Sequence, residues 1–327
     1  MRTNAIYIAF FLSVILFLSC EEEYTLPVAR TDFRNDCIKR SLGPNVEGLT
    51  IDFVYAMALG YGTGTIVSAQ VEASVAGAPG TYLEHRSYHA NSSGKDTPVI
   101  IGNPSVTQNT KTEVVFTKDT CAAALRYYYK IPPEAKGKEV SFIFSAKAST
   151  GETVRHEMGP YFIARMDMAL DMVLSDDNKM YFSVGDMAVY DADEAAARPE
   201  KVDLVYLYRS VPGVTFAHAL VAPAAGSEYL PDVILPPGVD RQTRLIKVYG
   251  LRDRHLARIQ YGIYVDDPDF SNVDFSKASG FAINMRADYG AWIETGDGKY
   301  RAYLFVNAVN NSARTIKISI KRYPVMP

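Results

Sequence analysis

The sequence predicts a mainly β protein of two domains, an Ig-like β-sandwich followed by a second β-rich domain, sandwich-like with α+β elements. Three observations carry this. Short segments alternate between apolar and polar residues: Val67, Ala69, Val71, Ala73 and Val75 share one side of a strand, as do Ile316, Ile318 and Ile320 near the end. Between such segments, Gly, Pro, Asn and Thr recur as turn formers, with no fixed-period repeat. No helical period of about 20 residues competes, and the chain is long enough for two separate cores.

The first element is a leader. Arg2 supplies a positive start, Ala5 to Leu18 is an apolar run, and Leu18-Ser19-Cys20 closes it ahead of Glu21-Glu22-Glu23. The run is short of the roughly 20 residues a spanning helix needs, so it reads as a signal-peptide core. A small residue directly before a cysteine places cleavage before Cys20, leaving 308 residues with lipid on the new N-terminal cysteine. The stretch resembles a bacterial lipobox, although Phe17 stands where leucine is preferred. Two or more acyl chains hold a protein firmly, at roughly 0.8 kcal/mol per buried CH2. The expected divisions are therefore a signal peptide over residues 1–19 and an acidic flexible tether over residues 20–36.

Residues 37–165 form the expected sandwich. Leu49 to Met57 and Ile66 to Val75 are strands, and Gly77-Ala78-Pro79-Gly80 breaks the chain after the second. Val99 to Ile101 and Thr112 to Phe116 are short strands. Ala122 to Ile131, containing Tyr127-Tyr128-Tyr129, stops at Pro132-Pro133. Val140 to Ala146 and Thr153 to Ile163 meet across Ser149-Thr150-Gly151-Glu152, a hairpin pattern. About seven strands at this spacing suit an Ig-like sandwich.

Residues 166–327 are more mixed. Tyr181 to Val184 and Lys201 to Tyr208 read as strands. Between them Asp191 caps a short helix to Ala197, stopped by Pro199. Pro212 to Gly238, rich in Pro, Gly and Ala, reads as a long loop or several turns. Leu251 to Ile259 reads as a short helix and Ile259 to Val265 as a strand. Ala291 to Glu294 and Tyr300 to Val309 are joined by Thr295-Gly296-Asp297-Gly298-Lys299, the clearest hairpin in the chain. A final strand, Ala313 to Tyr323, is expected to bury its isoleucines and to turn Thr315, Lys317, Ser319 and Lys321 to water.

Charge narrows the partners. There are 34 Lys+Arg against 37 Asp+Glu, a formal charge of −3, with no basic footprint for nucleic acid. Once Cys20 is lipidated, Cys37 and Cys121 remain as an even pair in an oxidising compartment. They are either a disulfide or two separate buried thiols.

Candidate chemistry is sparse. His85 and His89 are four apart outside any helical pattern, and neither His-Glu-x-x-His nor paired Cys-x-x-Cys occurs, so neither a metal nor a cofactor is expected. The acidic turns at Asp176-Asp177 and Asp266-Asp267-Pro268-Asp269 lack the calcium-loop pattern and read as solvated turns. Glu294 beside Trp292 is the most tempting half of a glycosidase pair, but no second carboxyl is singled out. No serine-hydrolase elbow, Walker loop or dinucleotide fingerprint occurs. Trp292 with Tyr289 and Tyr300 offers a stacking platform for a sugar ring, against the competing reading of a core tryptophan. Arg252, Arg254, His255 and Arg258 make a basic patch for an anionic partner, or else a charged helix face paired with neighbouring acids.

Tyr55-Ala56-Met57-Ala58-Leu59, Tyr82-Leu83-Glu84-His85-Arg86-Ser87-Tyr88, Lys201-Val202-Asp203-Leu204-Val205-Tyr206 and Gly250-Leu251-Arg252-Asp253-Arg254-His255-Leu256-Ala257-Arg258 carry a resemblance. So does Met187-Ala188-Val189-Tyr190-Asp191. Over roughly residues 37–323 the chain resembles a family of two-domain surface lipoproteins of the Bacteroidetes, adhesin-like and filed as a domain of unknown function. The resemblance implies sandwich-type domains and a lipid-anchored place on the outer membrane, facing the exterior; no catalytic or binding residues come with it. In that setting Glu21-Glu22-Glu23 resembles the export signal of surface lipoproteins. The expected function is a non-enzymatic surface binding protein for a glycan or another surface molecule. The alternatives are a structural or accessory subunit of an outer-membrane or fimbrial complex, and a glycan-degrading enzyme.

Overall fold

The computed structural model describes residues 31–325. The leader, Cys20 and Glu21 to Glu23 lie outside the described residues. The fold is mainly β: every pairing between named strands is antiparallel, and five-stranded sheets dominate.

In the first domain, strands β1 (Arg34–Lys39), β2 (Thr50–Ala58), β9 (Ala122–Lys130) and β4 (Tyr82–Leu83) make one sheet in that order. The facing sheet runs β11 (Thr153–Phe162), β10 (Glu139–Ala148), β3 (Ile66–Ala73), β8 (Lys111–Val115) and β7 (Val106–Gln108). A ribbon of β5 (Arg86–Ala90) and β6 (Asp96–Ile100) continues from β4. The orders β1-β2-β9-β4 and β11-β10-β3 reproduce the ABED and GFC orders of an immunoglobulin sandwich. One detail differs: β4, in the D position, precedes β8 in the chain. The alternation is clean because one face of each strand is dry. In β9, Tyr127 and Tyr129 are buried, while Tyr128 between them points to the outer face. Immunoglobulin domains link the B and F strands by a disulfide. Here β2 and β10 are joined by rings instead, Tyr55 to Phe144 at 5.2 Å and Phe53 to Phe142 at 4.9 Å.

Of the two alternatives for Cys37 and Cys121, the structure holds separate thiols, Cys37 buried and Cys121 half-buried. The register explains why. Cys37 lies opposite Tyr55, and Tyr55 opposite Leu125, so Cys121 sits two strands away and four residues further along. That separates the Cα atoms by about 15 Å, against a limit of about 7 Å for a disulfide. Burial, with Asp36 alongside, pushes the Cys37 thiol up to about 12.

The second domain packs β12 (Asp167–Ser175), β21 (Thr315–Pro324), β20 (Tyr300–Asn310), β19 (Tyr289–Glu294) and β17 (Arg244–Tyr249) against a second sheet. That sheet runs β14 (Ala188–Tyr190), β13 (Tyr181–Ser183), β15 (Leu204–Val211), β16 (Val214–Val221) and β18 (Phe281–Met285). Helix α1 (Ala192–Ala197) begins as expected, with Asp191 and Glu194 forming a capping box. The region read as a long loop or several turns contains β16. Pro212 and Gly213 are only the tip of a hairpin, and the true loop runs from Ala222 to Val239 across the outer face of the second sheet. Ile259 to Val265 is not a strand: Arg258 and Gly262 both take positive φ after α2 (Arg254–Ala257), and the segment is irregular and exposed at Tyr261 and Ile263 before Val265 turns into the core.

The last strand corrects a further expectation. Ile316, Ile318 and Ile320 are buried as predicted, but Ser319 and Lys321 on the opposite side are buried too. Their side of the sheet is covered by α2, α3 (Asp267–Asn272) and the first domain. Val46, Ala164 and Met166 join Leu256, Val265, Phe270, Tyr303 and Phe305 in one apolar cluster across the domain junction. Polar groups fasten the same junction. The Asp267 carboxylate accepts from the amides of Arg165 at 2.7 Å and Met166 at 3.2 Å, and Lys136 pairs with Asp167. Tyr264 lies flat over Gly43: a Cβ there would fall 2.5 Å from the ring, and its φ of +79° already favours glycine.

Candidate functional site

A cleft opens where the two sheets of the second domain meet. Leu245 at the start of β17 exchanges both backbone hydrogen bonds with Ser279, ahead of β18, at 2.7 and 3.0 Å. Beyond this corner the loop after β16, the segment 242–244 and the β19–β20 hairpin leave a cavity of about 790 Å³. Small residues shape it: Ala222, Ala225, Gly280 and Gly296 remove side-chain bulk where three segments converge. One wall is aromatic, with Tyr229 stacked on Phe281 at 3.7 Å and 14° between planes. A smaller recess of about 190 Å³, lined by Tyr300, Lys201 and Asp186, shares Asp297 with the main cleft.

The charged groups of the cleft are paired among themselves. Glu294, mostly buried, accepts from Arg301 Nε at 2.9 Å and pairs with Arg244. Asp297 accepts from the Thr295 hydroxyl at 2.7 Å, the Lys299 amide at 3.1 Å and Arg241 Nη2 at 3.1 Å. Burial alone would raise the Asp297 carboxyl, but these donors and the charges of Arg241 and Lys299 outweigh it and hold it below its ordinary value. Arg241 also donates at 2.7 Å to Asp203, which is fully buried and receives the Val184 amide at 2.7 Å. Burial raises the Asp203 carboxyl, with Arg241 opposing. Thr243, also in the cleft wall and 1% exposed, has a hydroxyl with no hydrogen-bond partner. The result is a cleft whose two carboxylates, Glu294 and Asp297, are both engaged by arginines.

The three proposed platform residues do not converge. Trp292 lies on the outer face of its sheet and packs half-buried on Tyr303 at 4.8 Å and Phe270 at 5.5 Å, so it belongs to the junction core. Tyr289 is three residues away, hence on the other face, where it meets Tyr249 at 4.9 Å. Tyr300 pairs across the ladder with Pro324, at the far end of the sheet from Tyr289, and lines the smaller recess.

The basic patch is likewise dispersed. Arg252 pairs with Asp288 at 2.6 Å, Arg258 pairs with Asp171, and Arg254 lies 4.9 Å over the Tyr264 ring. His255 packs tilted against Tyr264, ring centres 4.8 Å apart, and burial, reinforced by Lys321, lowers it to about 4. Asp253 pairs not with these arginines but with Lys321 at 2.7 Å, both fully buried. Among the described residues no group of three His, Cys, Asp or Glu side chains converges as a metal site, and no helix is long and apolar enough to cross a membrane.

Sequence reasoning reached the Thr295 to Lys299 hairpin and Glu294, but missed Tyr229, Phe281, Arg241 and Thr243. The run Ala222 to Gly226 and the Ser279-Gly280 pair are the signals of a space left open. Nothing local ties them together, because their meeting depends on how the two sheets join.

Two family models divide the chain: the domain of unknown function DUF4466 matches residues 30–163, and DUF8576, also of unknown function, residues 164–325. The chain is 42% identical to a DUF4466 family protein from Parabacteroides merdae, whose crystal structure superposes with a TM-score of 0.85 over 90% of this chain and 99% of that one. The major pilin subunit of Bacillus cereus aligns at 6% identity and a TM-score of 0.28, over 87% of this chain and 63% of its own, too slight a likeness to bear on fold or function. No curated protein matches. By its whole-length likeness to the Parabacteroides protein, the chain belongs to the DUF4466 family.

Proposed function

We propose that the protein is a non-catalytic binding protein, held by lipid on Cys20 at the outer surface of the outer membrane, which captures a glycan in the cleft beside the β19–β20 hairpin. One observation carries the reading: the cleft is roomy, about 790 Å³, yet both its carboxylates are held by arginines. Acid–base catalysis needs a carboxyl free to exchange its proton near neutral pH. Binding needs the reverse: fixed donors and acceptors, a flat aromatic wall and little net charge. Tyr229 on Phe281 supplies the wall for the apolar face of a sugar, and the backbone around Gly296 and Gly280 lies open to hydroxyls.

A glycan array probed with the soluble chain, residues 24–327, tests the binding, with Gly280→Trp as the blocking variant. A Cβ at Gly280 meets only ordinary contacts, Ala225 at 3.5 Å and Ala222 at 3.8 Å, so the indole fills the cleft without backbone strain. Array hits that vanish in this variant support the reading. A blank array, with a protein partner recovered from membranes instead, defeats it. For the anchor, Cys20→Ala should abolish labelling by radioactive palmitate, and replacing Glu21 to Glu23 by alanine should remove sensitivity to protease added to whole cells. Unchanged labelling or unchanged surface exposure would count against each role.

A further inference from the structure

We propose that the outer face of the β1-β2-β9-β4 sheet, centred on Tyr82, Tyr128, Tyr88 and Arg126, is a second contact that takes an uncharged polysaccharide chain; this rests on the reading of the protein as a glycan binder. The face is built rather than incidental. Tyr128 is the middle ring of three consecutive tyrosines and the one turned outward; Tyr82, 42% exposed, stacks on it at 4.9 Å with 24° between planes. Two residues along β9 on the same face, about 7 Å away, Arg126 lies 3.8 Å over the Tyr88 ring. Asp96 fixes that guanidinium at 2.5 Å. Thus two flat surfaces, a tyrosine pair and an arginine–tyrosine pair, stand side by side along one strand.

The ribbon that supplies Tyr88 is fastened to β9. The Ala124 amide donates to Ser87 Oγ at 3.0 Å, and the Glu84 amide donates to the Arg126 carbonyl at 2.8 Å. Preformed surfaces lose less freedom on binding.

The charges select the ligand. Beside the rings, Arg126 pairs with Asp96 and Arg86 with Glu84, while Lys130 Nζ reaches the Gly48 carbonyl. Arg86 forks onto Glu84 at 2.9 and 2.6 Å. The two arginines nearest the rings are thus spent on acids of this chain, which leaves an anionic polymer little to grip. What is left is aromatic surface and hydroxyls, the complement of a neutral pyranose with apolar faces and a hydroxyl rim. A surface running across strands, without end walls, accepts the middle of a chain, whereas the cleft of the second domain accepts an end or a branch.

The test is affinity electrophoresis of the soluble chain, residues 24–327, through gels containing neutral polysaccharides (β-glucan, mannan, galactomannan) or acidic ones (pectin, alginate). Variants are Tyr82→Ala with Tyr128→Ala, Tyr82→Phe with Tyr128→Phe, and Gly280→Trp. The proposal expects retention by at least one neutral polymer, about tenfold weaker in the double alanine variant, and kept in the double phenylalanine variant, which preserves the rings. Far-UV circular dichroism on each variant shows that the fold survives, and Tyr82→Ala alone, on a two-residue edge strand, stands in if the double alanine variant does not fold. Wild-type retention by the alanine variants, stronger retention by acidic polymers, or no retention by any neutral polymer overturns it. Gly280→Trp separates the two readings: loss there with intact tyrosine variants leaves only the cleft, and the converse leaves only the face.

Discussion

Removing Lys321 should show that the second domain is held by an ion pair with no access to water. Lys321 Nζ donates to Asp253 Oδ2 at 2.7 Å and to the Val265 carbonyl at 2.8 Å, and neither side chain is exposed. Asp253 also accepts the Leu256 amide at 2.9 Å, which caps α2, and the Val265 amide at 2.6 Å. The two deletions are therefore unequal. Lys321→Met leaves a buried carboxylate that two amides still serve, and stripping one partner from a buried pair costs about 3–5 kcal/mol; the residual amides put this variant at the lower end. Asp253→Leu strands the ammonium and orphans both amides, each worth about 1–3 kcal/mol when unmet, so it should fall at or above the upper end. The double variant Asp253→Leu with Lys321→Met removes both charges, and should recover part of the loss of the Asp253 single variant. Guanidinium unfolding followed by Trp292 fluorescence measures this in the second domain. Thermal midpoints should fall by about 2–4 °C per kcal/mol. A Lys321→Met loss under about 1 kcal/mol, or a greater loss than in Asp253→Leu, refutes the reasoning.

Three further outcomes follow from the same geometry. His255 sits near 4 in the fold against about 6.5 unfolded, so between those values the unfolded chain binds the extra proton. Stability is then full above about pH 6.5 and falls as pH drops through that window, by up to about 3 kcal/mol. His255→Phe should flatten this part of the stability–pH curve, and an unchanged slope excludes His255 as its source. Gly43→Ala adds a Cβ 2.5 Å from the Tyr264 ring at a φ of +79° and should cost roughly 2 kcal/mol or more; Gly48→Ala, also at φ +79° but with nothing nearby, provides the backbone-only control, and equal losses would show that the ring contact adds nothing. Finally, the soluble chain should expose two titratable thiols in denaturant without reductant, with Cys37 silent in the native state; zero thiols in denaturant would mean a bridge after all.

Legibility followed the range of the forces involved. The alternation of Ile316, Ile318 and Ile320 is local and was readable, as were the Asp191 cap and the Thr295 to Lys299 hairpin. Lys321 was misplaced because lysine prefers water, and only the arrival of Asp253 and Val265 from elsewhere in the chain makes its burial tolerable. β16 was hidden because Pro212 and the Ala222 to Gly226 run framed it with loop composition, although His218 to Val221 is among the driest stretches of the domain. The even count of cysteines left both a bridge and two separate thiols open, because counting carries no register, and register decides which residues meet. For the same reason Trp292, Tyr289 and Tyr300 looked like one platform: adjacency in a strand alternates faces, so near neighbours in sequence can be separated by a whole sheet.

That rule also says where to look for contact surfaces in a sandwich of this kind. A β-strand delivers every second residue to the same side, so a flat binding face draws on residues spaced by two in one strand and on their partners in the next. Tyr128 and Arg126 on β9, with Tyr82 across the ladder, meet that requirement. The cleft beside the β19–β20 hairpin arises differently, from loops and sheet ends, and its shape depends on the bridge between Leu245 and Ser279. Two sites of such different construction, on domains sharing a packed and hydrogen-bonded junction, lie at a set separation rather than on a flexible leash. Under the proposals above, a polymer able to touch both gains from effective concentration, up to about 10²–10⁴ over either contact alone, and a fragment too short to reach gains nothing. Affinity should then climb in a step, not gradually, as oligosaccharide length passes the span between Tyr128 and Gly280. A smooth rise with length would mean that the two surfaces act alone.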